Sequence, residues 1–213
     1  MSDRMRIVNL GLPKSGTTTL AHALRISGLR IADYRIRQRQ TPDVTLHDAF
    51  VGDRMYRSYF ASGDPLDGLD LFDGFSEVST LREGHSLWPQ TDWGLISAIR
   101  QHHPGTRFLA TWRPPEVISD SMLRWSNLGT ERLPDGQVPG LPAGYGASPA
   151  HRIRWVGAHY AFLEKLFEGD DRFLRLDIKA PDAPQTLGAF LGRDIPWWGK
   201  ANRNPVPKLA EVD

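Results

Sequence analysis

Gly11-Leu12-Pro13-Lys14-Ser15-Gly16-Thr17-Thr18-Thr19-Leu20 separates two different hydrophobic patterns. Before it, residues 6–10 form a short apolar run holding Ile7, Val8 and Leu10. After it, residues 17–27 carry Leu20, Ala21, Ala23, Leu24 and Ile26 at helical spacing, closed by Gly28. The spacing predicts a strand, a glycine turn and a helix. Glycine lets the backbone turn tightly and present successive N–H groups. Those donors and the helix N-terminus behind them form a concave site for anions. Lys14 places a full positive charge inside the loop, and Thr17 and Thr18 add hydroxyl donors at the first helical turn.

Working outward, strands alternate with helices. Strands are expected over 29–34, 69–78, 107–112 and 173–177, and helices over 92–102, 114–128, 148–167 and 183–191. Proline at the start of the second and third of these helices suits a helix N-terminus, and Ser148 before Pro149 reads as an N-cap. Gly129–Gly146 is rich in glycine and proline, and the segment 129–147 reads as a mobile loop or lid. The alternation predicts an α/β fold, a central parallel sheet flanked by helices on both faces. Ligands of such folds bind at the carboxyl ends of the strands. The length of 213 residues suits one domain spanning 1–213.

The loop approaches the phosphate-loop pattern G-x-x-x-x-G-K-[ST] but departs from it in one place. The residue after Gly16 is Thr17, and the lysine stands before that glycine, at position 14. Pro13-Lys14-Ser15-Gly16-Thr17-Thr18 resembles the 5'-phosphosulfate loop of sulfotransferases that use 3'-phosphoadenosine 5'-phosphosulfate (PAPS). The resemblance implies a three-layer sandwich of the P-loop NTPase kind and sulfuryl transfer from PAPS to a hydroxyl or amine, with 3'-phosphoadenosine 5'-phosphate (PAP) as product. It implies PAPS contacts from Pro13, Lys14, Ser15, Gly16, Thr17, Thr18 and Thr19, and no metal.

The same family has a second motif, an arginine after a strand and a serine two helical turns on, both on the 3'-phosphate. Arg113 follows the strand 107–112, and Ser121 falls at that spacing. A guanidinium at a strand end can meet a phosphate with two hydrogen bonds, and a helical hydroxyl can add a third. Two anion sites on one sheet edge suit a bisphosphate nucleotide. Phe190-Leu191-Gly192 followed by Asn202-Arg203-Asn204 is similar to the end of many bacterial sulfotransferases. Two features depart from the animal cytosolic enzymes. Thr19 stands where they carry an adenine-stacking aromatic, and their Arg-Lys-Gly segment is missing; Lys200, Arg203 or Lys208 are the candidate substitutes.

Sulfuryl transfer needs positioning and charge stabilisation, for which Lys14 is the candidate, and a base for the acceptor. The family uses a histidine or a glutamate. Glu77, ending the strand 69–78, is the first candidate and His85 the second, followed by His47 and Asp33. The acceptor reads as a small molecule, lipid or glycan. Arg35, Arg37 and Arg39 could attract an anionic one or form a solvated face.

With 26 basic and 25 acidic residues the chain offers no bulk charge for nucleic acid. No cysteine is present, which excludes disulfides and thiolate catalysis. No stretch approaches the length of a membrane span, and a cytoplasmic protein is expected, with Trp197-Trp198 the one feature suited to a membrane surface. Two other readings stand beside sulfuryl transfer. One is an ATP-dependent phosphotransferase, with Asp177 as a loose Mg²⁺ ligand. The other is a non-catalytic nucleotide-binding module.

Overall fold

Ile7 and Val8 are neighbours in the chain and serve opposite faces of the sheet. The computed structural model describes residues 4–201. In it, strand β1 (Ile7–Asn9) buries Ile7 in one apolar cluster and Val8 in another. The same alternation runs through Phe108, Leu109 and Ala110, as the two-residue period of a strand requires.

The chain continues through α1 (Thr17–Ile26), β2 (Ile31–Ala32), α2 (Val51–Ser62), β3 (Gly74–Phe75), β4 (Thr80–Arg82), β5 (His85–Leu87) and α3 (Trp93–His102). It ends with β6 (Arg107–Trp112), α4 (Pro115–Leu123), a short α5 (Leu133–Asp135), α6 (Pro149–Leu166), β7 (Phe173–Asp177) and α7 (Ala183–Leu191). Five strands form a parallel sheet in the order β2-β3-β1-β6-β7. One face packs on α1 and α7 through Leu20, Leu24, Leu187 and Leu191. The other packs on α2, α3, α4 and α6 through Met55, Ile96, Ile118 and Val156. The architecture is the expected α/β sandwich, helices on both faces of a parallel sheet. Among the described residues no helix is long and apolar enough to cross a membrane.

Three expectations are corrected. The strand over 69–78 shrinks to Gly74–Phe75. Leu69 and Phe72 are buried by turns, in which Leu69 N–H donates to Leu66 O at 3.0 Å and Phe72 N–H to Leu69 O at 3.1 Å. The strand over 29–34 is two residues long, Ile31–Ala32. The helix over 114–128 stops at Leu123, and a π-helical turn follows at Leu128–Arg132. There the chain folds back on the helix end so closely that a Cβ on Gly129 would lie 2.9 Å from the Leu123 Cα.

The segment 129–147 is packed rather than extended, burying Leu133, Val138 and Leu141. The Arg152 guanidinium on α6, 1% exposed, clasps both its ends. It donates to Gly129 O at 3.3 Å, Gly146 O at 2.8 Å and Ala147 O at 2.6 Å. Asn202, Arg203, Asn204 and Lys208 lie outside the described residues.

Candidate functional site

β1 is the central strand of the sheet, so the loop after it emerges at the carboxyl edge between β3 and β6. A buried polar network fixes its path. Asn9, fully buried, donates from Nδ2 to Ser76 O at 2.7 Å, and its Oδ1 accepts from Gly11 N–H at 3.2 Å and Thr111 N–H at 2.9 Å. Ser15 Oγ and Thr111 Oγ1 share a hydrogen bond at 2.7 Å. Under the loop, Tyr160 OH donates to Thr111 O at 2.7 Å. His159 donates from Nε2 to Leu10 O at 2.8 Å; burial keeps its ring neutral, with a pKa of about 4. Buried polar groups tied to one another in this way fix a single backbone path.

Both glycines are dictated by space. A Cβ on Gly11 would sit 2.4 Å from Thr111 Oγ1 and 2.8 Å from Ser15 Oγ. Gly16, the N-cap of α1, has φ 122°, and a Cβ there would meet Ile178 Cδ1 at 2.5 Å. Lys14 itself occupies the left-handed region at φ 72°. A non-glycine residue there carries strain of about 1–3 kcal/mol, which the surrounding network must hold.

The loop and the first turn of α1 form one end of a cavity of about 590 Å³. Lys14, Thr17, Thr18, Thr19, Arg113 and Ser121 all line it, so the two motifs expected to bind anions share one space. Ser15 is buried beneath the loop as a support. Pro13 is on the lining.

Lys14 Nζ stands 3.4 Å from the Trp125 ring centroid, a cation–π contact that holds the ammonium in the cavity. Burial lowers its pKa to about 8, with Glu77 opposing and Arg113 adding to the shift. Arg113 is partly buried, and its Nε, shielded from solvent, has no hydrogen-bond partner among the described residues. Burial lowers its pKa, while Tyr160 and Asp177 oppose. A guanidinium nitrogen left in this condition fits an anionic ligand. Ser121, on the helix that follows, is 6% exposed.

Glu77 also lines the cavity, and Thr17 Oγ1 donates to its Oε2 at 2.7 Å. Burial raises its pKa to about 7; Thr17, Lys14 and Arg82 oppose the rise and Asp33 adds to it. The other base candidates are placed elsewhere. His85 is exposed on the hairpin β4–β5, its Nδ1 3.0 Å from Glu83 O and its ring 5.3 Å from that of Phe50, off the cavity lining. His47 Nε2 lies 3.1 Å from Thr41 O, also off the lining. Asp33 is on the lining and faces Arg25 at 3.7 Å. Asp177 accepts from Lys179 N–H at 2.9 Å and does not line the cavity.

Several lining residues escaped sequence reasoning: Trp125, Ser79, Thr80, Arg82 and Arg132; Trp198, singled out for a membrane surface, lines the cavity as well. Trp198 is partly buried and donates from Nε1 to Ile178 O at 3.3 Å; with Trp197 it packs against the α1–α7 side of the sheet. Thr19 Oγ1 donates to Gly199 O at 3.1 Å, joining the tail to the loop. Arg35, Arg37 and Arg39 are off the lining. Glu83-Gly84, with φ 54° and 78°, turns the hairpin that carries Arg82. A residue followed by glycine between two short β-prone runs was the available signal for it.

No family model matches the chain. Its fold is similar to the crystal structure of a sulfotransferase from Alicyclobacillus acidocaldarius, with a TM-score of 0.50 and 17% sequence identity. The match covers 96% of this chain and 87% of that one, a likeness of fold over nearly the whole length.

Proposed function

We propose that the protein is a PAPS-dependent sulfotransferase that moves the sulfuryl group to an acceptor hydroxyl or amine and releases PAP. The observation that carries the reading is the meeting, in one cavity, of the Lys14 loop, the Arg113 Nε without a partner, and Glu77. Two separated cationic points suit the two phosphate positions of the nucleotide. A carboxyl group with a pKa of about 7 suits a general base near neutral pH.

Pro13 and Lys14 and the start of α1 would hold the 5'-phosphate side, Arg113 and Ser121 the 3'-phosphate. Trp198 supplies the flat apolar surface that Thr19 lacks, and Lys200 on the same lining adds a cation near it. When bound, PAPS supplies an activated sulfuryl group whose S–O bond to the 5'-phosphate breaks as a new bond forms to the acceptor. Lys14 stabilises charge on the leaving phosphate. Glu77 takes the acceptor proton on a carboxylate oxygen, with Thr17 holding its Oε2. Small-molecule acceptors suit a cavity of about 590 Å³.

One observation favours a second reading. The Thr17–Glu77 pair places a hydroxyl beside a carboxylate, the combination with which ATP enzymes hold Mg²⁺. Thermal unfolding with PAP, and separately with ATP plus Mg²⁺, separates the two. A ligand at 100 times its Kd adds about 2.7 kcal/mol, a shift of several degrees. Stabilisation by PAP that Arg113→Ala abolishes supports the sulfotransferase. Stabilisation by ATP–Mg²⁺ and none by PAP overturns it in favour of a phosphotransferase. PAP binding with no turnover of PAPS leaves a non-catalytic module, and turnover unchanged in Lys14→Ala rules out the role given to Lys14.

A further inference from the structure

The wall that carries Glu77 continues along the chain as Ser79, Thr80, Leu81 and Arg82, all on the cavity lining. Arg132 joins them from the π-helical turn after α4. Arg132 donates from Nη1 to Leu81 O at 2.9 Å and from Nε to Asn127 Oδ1 at 2.9 Å. Arg82 donates from Nη1 to Tyr34 OH at 3.0 Å, its guanidinium carbon 5.1 Å from the Tyr34 ring centroid. All these partners are neutral.

Other arginines of the fold are treated differently. Arg6 meets Asp70 at 2.5 Å, Arg100 meets Asp170 at 2.9 Å, and Arg35 lies between Asp48 at 3.5 Å and Glu83 at 3.6 Å. Among the described residues neither Arg82 nor Arg132 has a carboxylate within ion-pairing distance. The two also work against each other: after burial, the charge of Arg82 is what disfavours the charged form of Arg132. Two partly buried cations facing one space, neither of them in an ion pair, are stable together when an anion joins them.

The same wall holds two further unmet groups. Ser79 Oγ and Thr80 Oγ1 are shielded from solvent and have no hydrogen-bond partner among the described residues. Their residues are 3% and 2% exposed. Hydroxyls in that position are satisfied by a ligand or water with polar groups of its own.

We propose that the acceptor is a polyhydroxylated anion, a sugar acid or sugar phosphate in type, whose charged group is held by Arg82 and Arg132. Ser79 and Thr80 hydrogen-bond its hydroxyls, and one hydroxyl or amine is left beside Glu77. The proposal rests on the sulfotransferase reading and names the acceptor class for it. It replaces the arginine run 35–39 with two separated arginines as the anion-reading residues.

Calorimetric titration of the full chain tests it, with and without saturating PAP. The probes are glucuronate, glucose 6-phosphate and the neutral methyl glucoside. At least one anion is expected to bind about tenfold tighter than the neutral sugar, as for a charge-assisted contact. Arg82→Gln and Arg132→Gln should each weaken it about tenfold, and Arg132→Lys less, since a charge remains. An unchanged PAP affinity in the same variants certifies their fold, and Arg39→Gln should change nothing. Glucuronate against glucose 6-phosphate distinguishes a carboxylate from a phosphate. Equal binding of the neutral sugar, or failure of both anions while PAP binds, overturns the acceptor class alone. Anion binding without PAP binding keeps the anion subsite and overturns the nucleotide.

Discussion

At one end of the cavity, ten consecutive residues, Gly11 to Leu20, build a candidate anion site from backbone N–H groups, one lysine and the start of a helix. Along the wall that begins at Glu77, Arg82 and Arg132 reach the same space from segments far apart in sequence, one on a hairpin and one on a π-helical turn. The first end is local and made largely of main chain. The second is assembled from side chains by tertiary packing. The donors of the loop are contiguous in sequence, although Asn9, Thr111 and Tyr160 hold them from below, whereas the wall draws its donors from distant segments.

Glu77 is where the two ends touch, through Thr17, and its removal should have the largest effect. Glu77→Gln keeps the acceptor oxygen for the Thr17 hydroxyl but removes the proposed base. Turnover of PAPS with a competent acceptor should fall about 10²–10⁴-fold, while PAP affinity is unchanged. The same variant has a stability signature. The carboxyl pKa is raised from 4.5 to about 7 on folding, so the ionised form is disfavoured in the native state. That destabilisation is absent below about 4.5, grows between the two values and is complete above about 7. Discounted for its partial exposure, Glu77→Gln should stabilise the protein by about 1–2 kcal/mol at pH 8 and not at pH 4. Unfolding at the two pH values checks this. A turnover loss of less than about tenfold would remove Glu77 from the reaction.

A smaller but still large effect separates the ends. Arg152 holds the segment 129–147, which positions Arg132, by bonding to carbonyls at both ends of it. Arg152→Met leaves buried carbonyls unpaired, at about 1–3 kcal/mol each before water recovers part. A net loss of about 3 kcal/mol is expected, a Tm fall of roughly 6–12 °C. Protease cleavage should appear within 129–147. If the comparison holds, the folded fraction keeps its PAP affinity and loses its anion affinity. Loss of both to the same degree would mean that the two ends are one cooperative unit.

What could be read without coordinates follows the same division. The strand Arg107–Trp112, the strand Phe173–Asp177 and the helix Ala183–Leu191 were legible because their apolar periods and boundaries lie in continuous sequence. The loop was legible because tight turns and anion binding restrict residue type at each position. Leu69 and Phe72 misled because turns bury them as fully as a strand would. Glu77 and His85 look alike at short strand ends, yet the turn at Glu83-Gly84 sends His85 to the exposed side against Phe50. Arg152 resembles any exposed helical arginine; its burial follows from carbonyls presented by a distant segment. Nothing local marks Arg82 and Arg132 as sharing one space.

The smallest effect is the sharpest test of communication between the ends. On the proposed mechanism the free protein needs Glu77 ionised and Lys14 protonated. Their pKa values, about 7 and about 8, lie close together, and each group is felt by the other. kcat/KM should therefore rise through about pH 7 as Glu77 loses its proton and fall through about pH 8 as Lys14 loses its own. The two limbs belong to the pair as a whole, since the titrations are coupled. Arg82 lowers the pKa of Glu77, so Arg82→Gln should move the acidic limb to higher pH, by a fraction of a unit. Arg39→Gln, off the lining, should leave it in place. A pH profile unmoved by Arg82→Gln, alongside a weakened anionic acceptor, would make the wall a binding surface electrically separate from the base. A moved limb would make Arg82 both the reader of the acceptor's charge and a tuning group for the proton acceptor beside it.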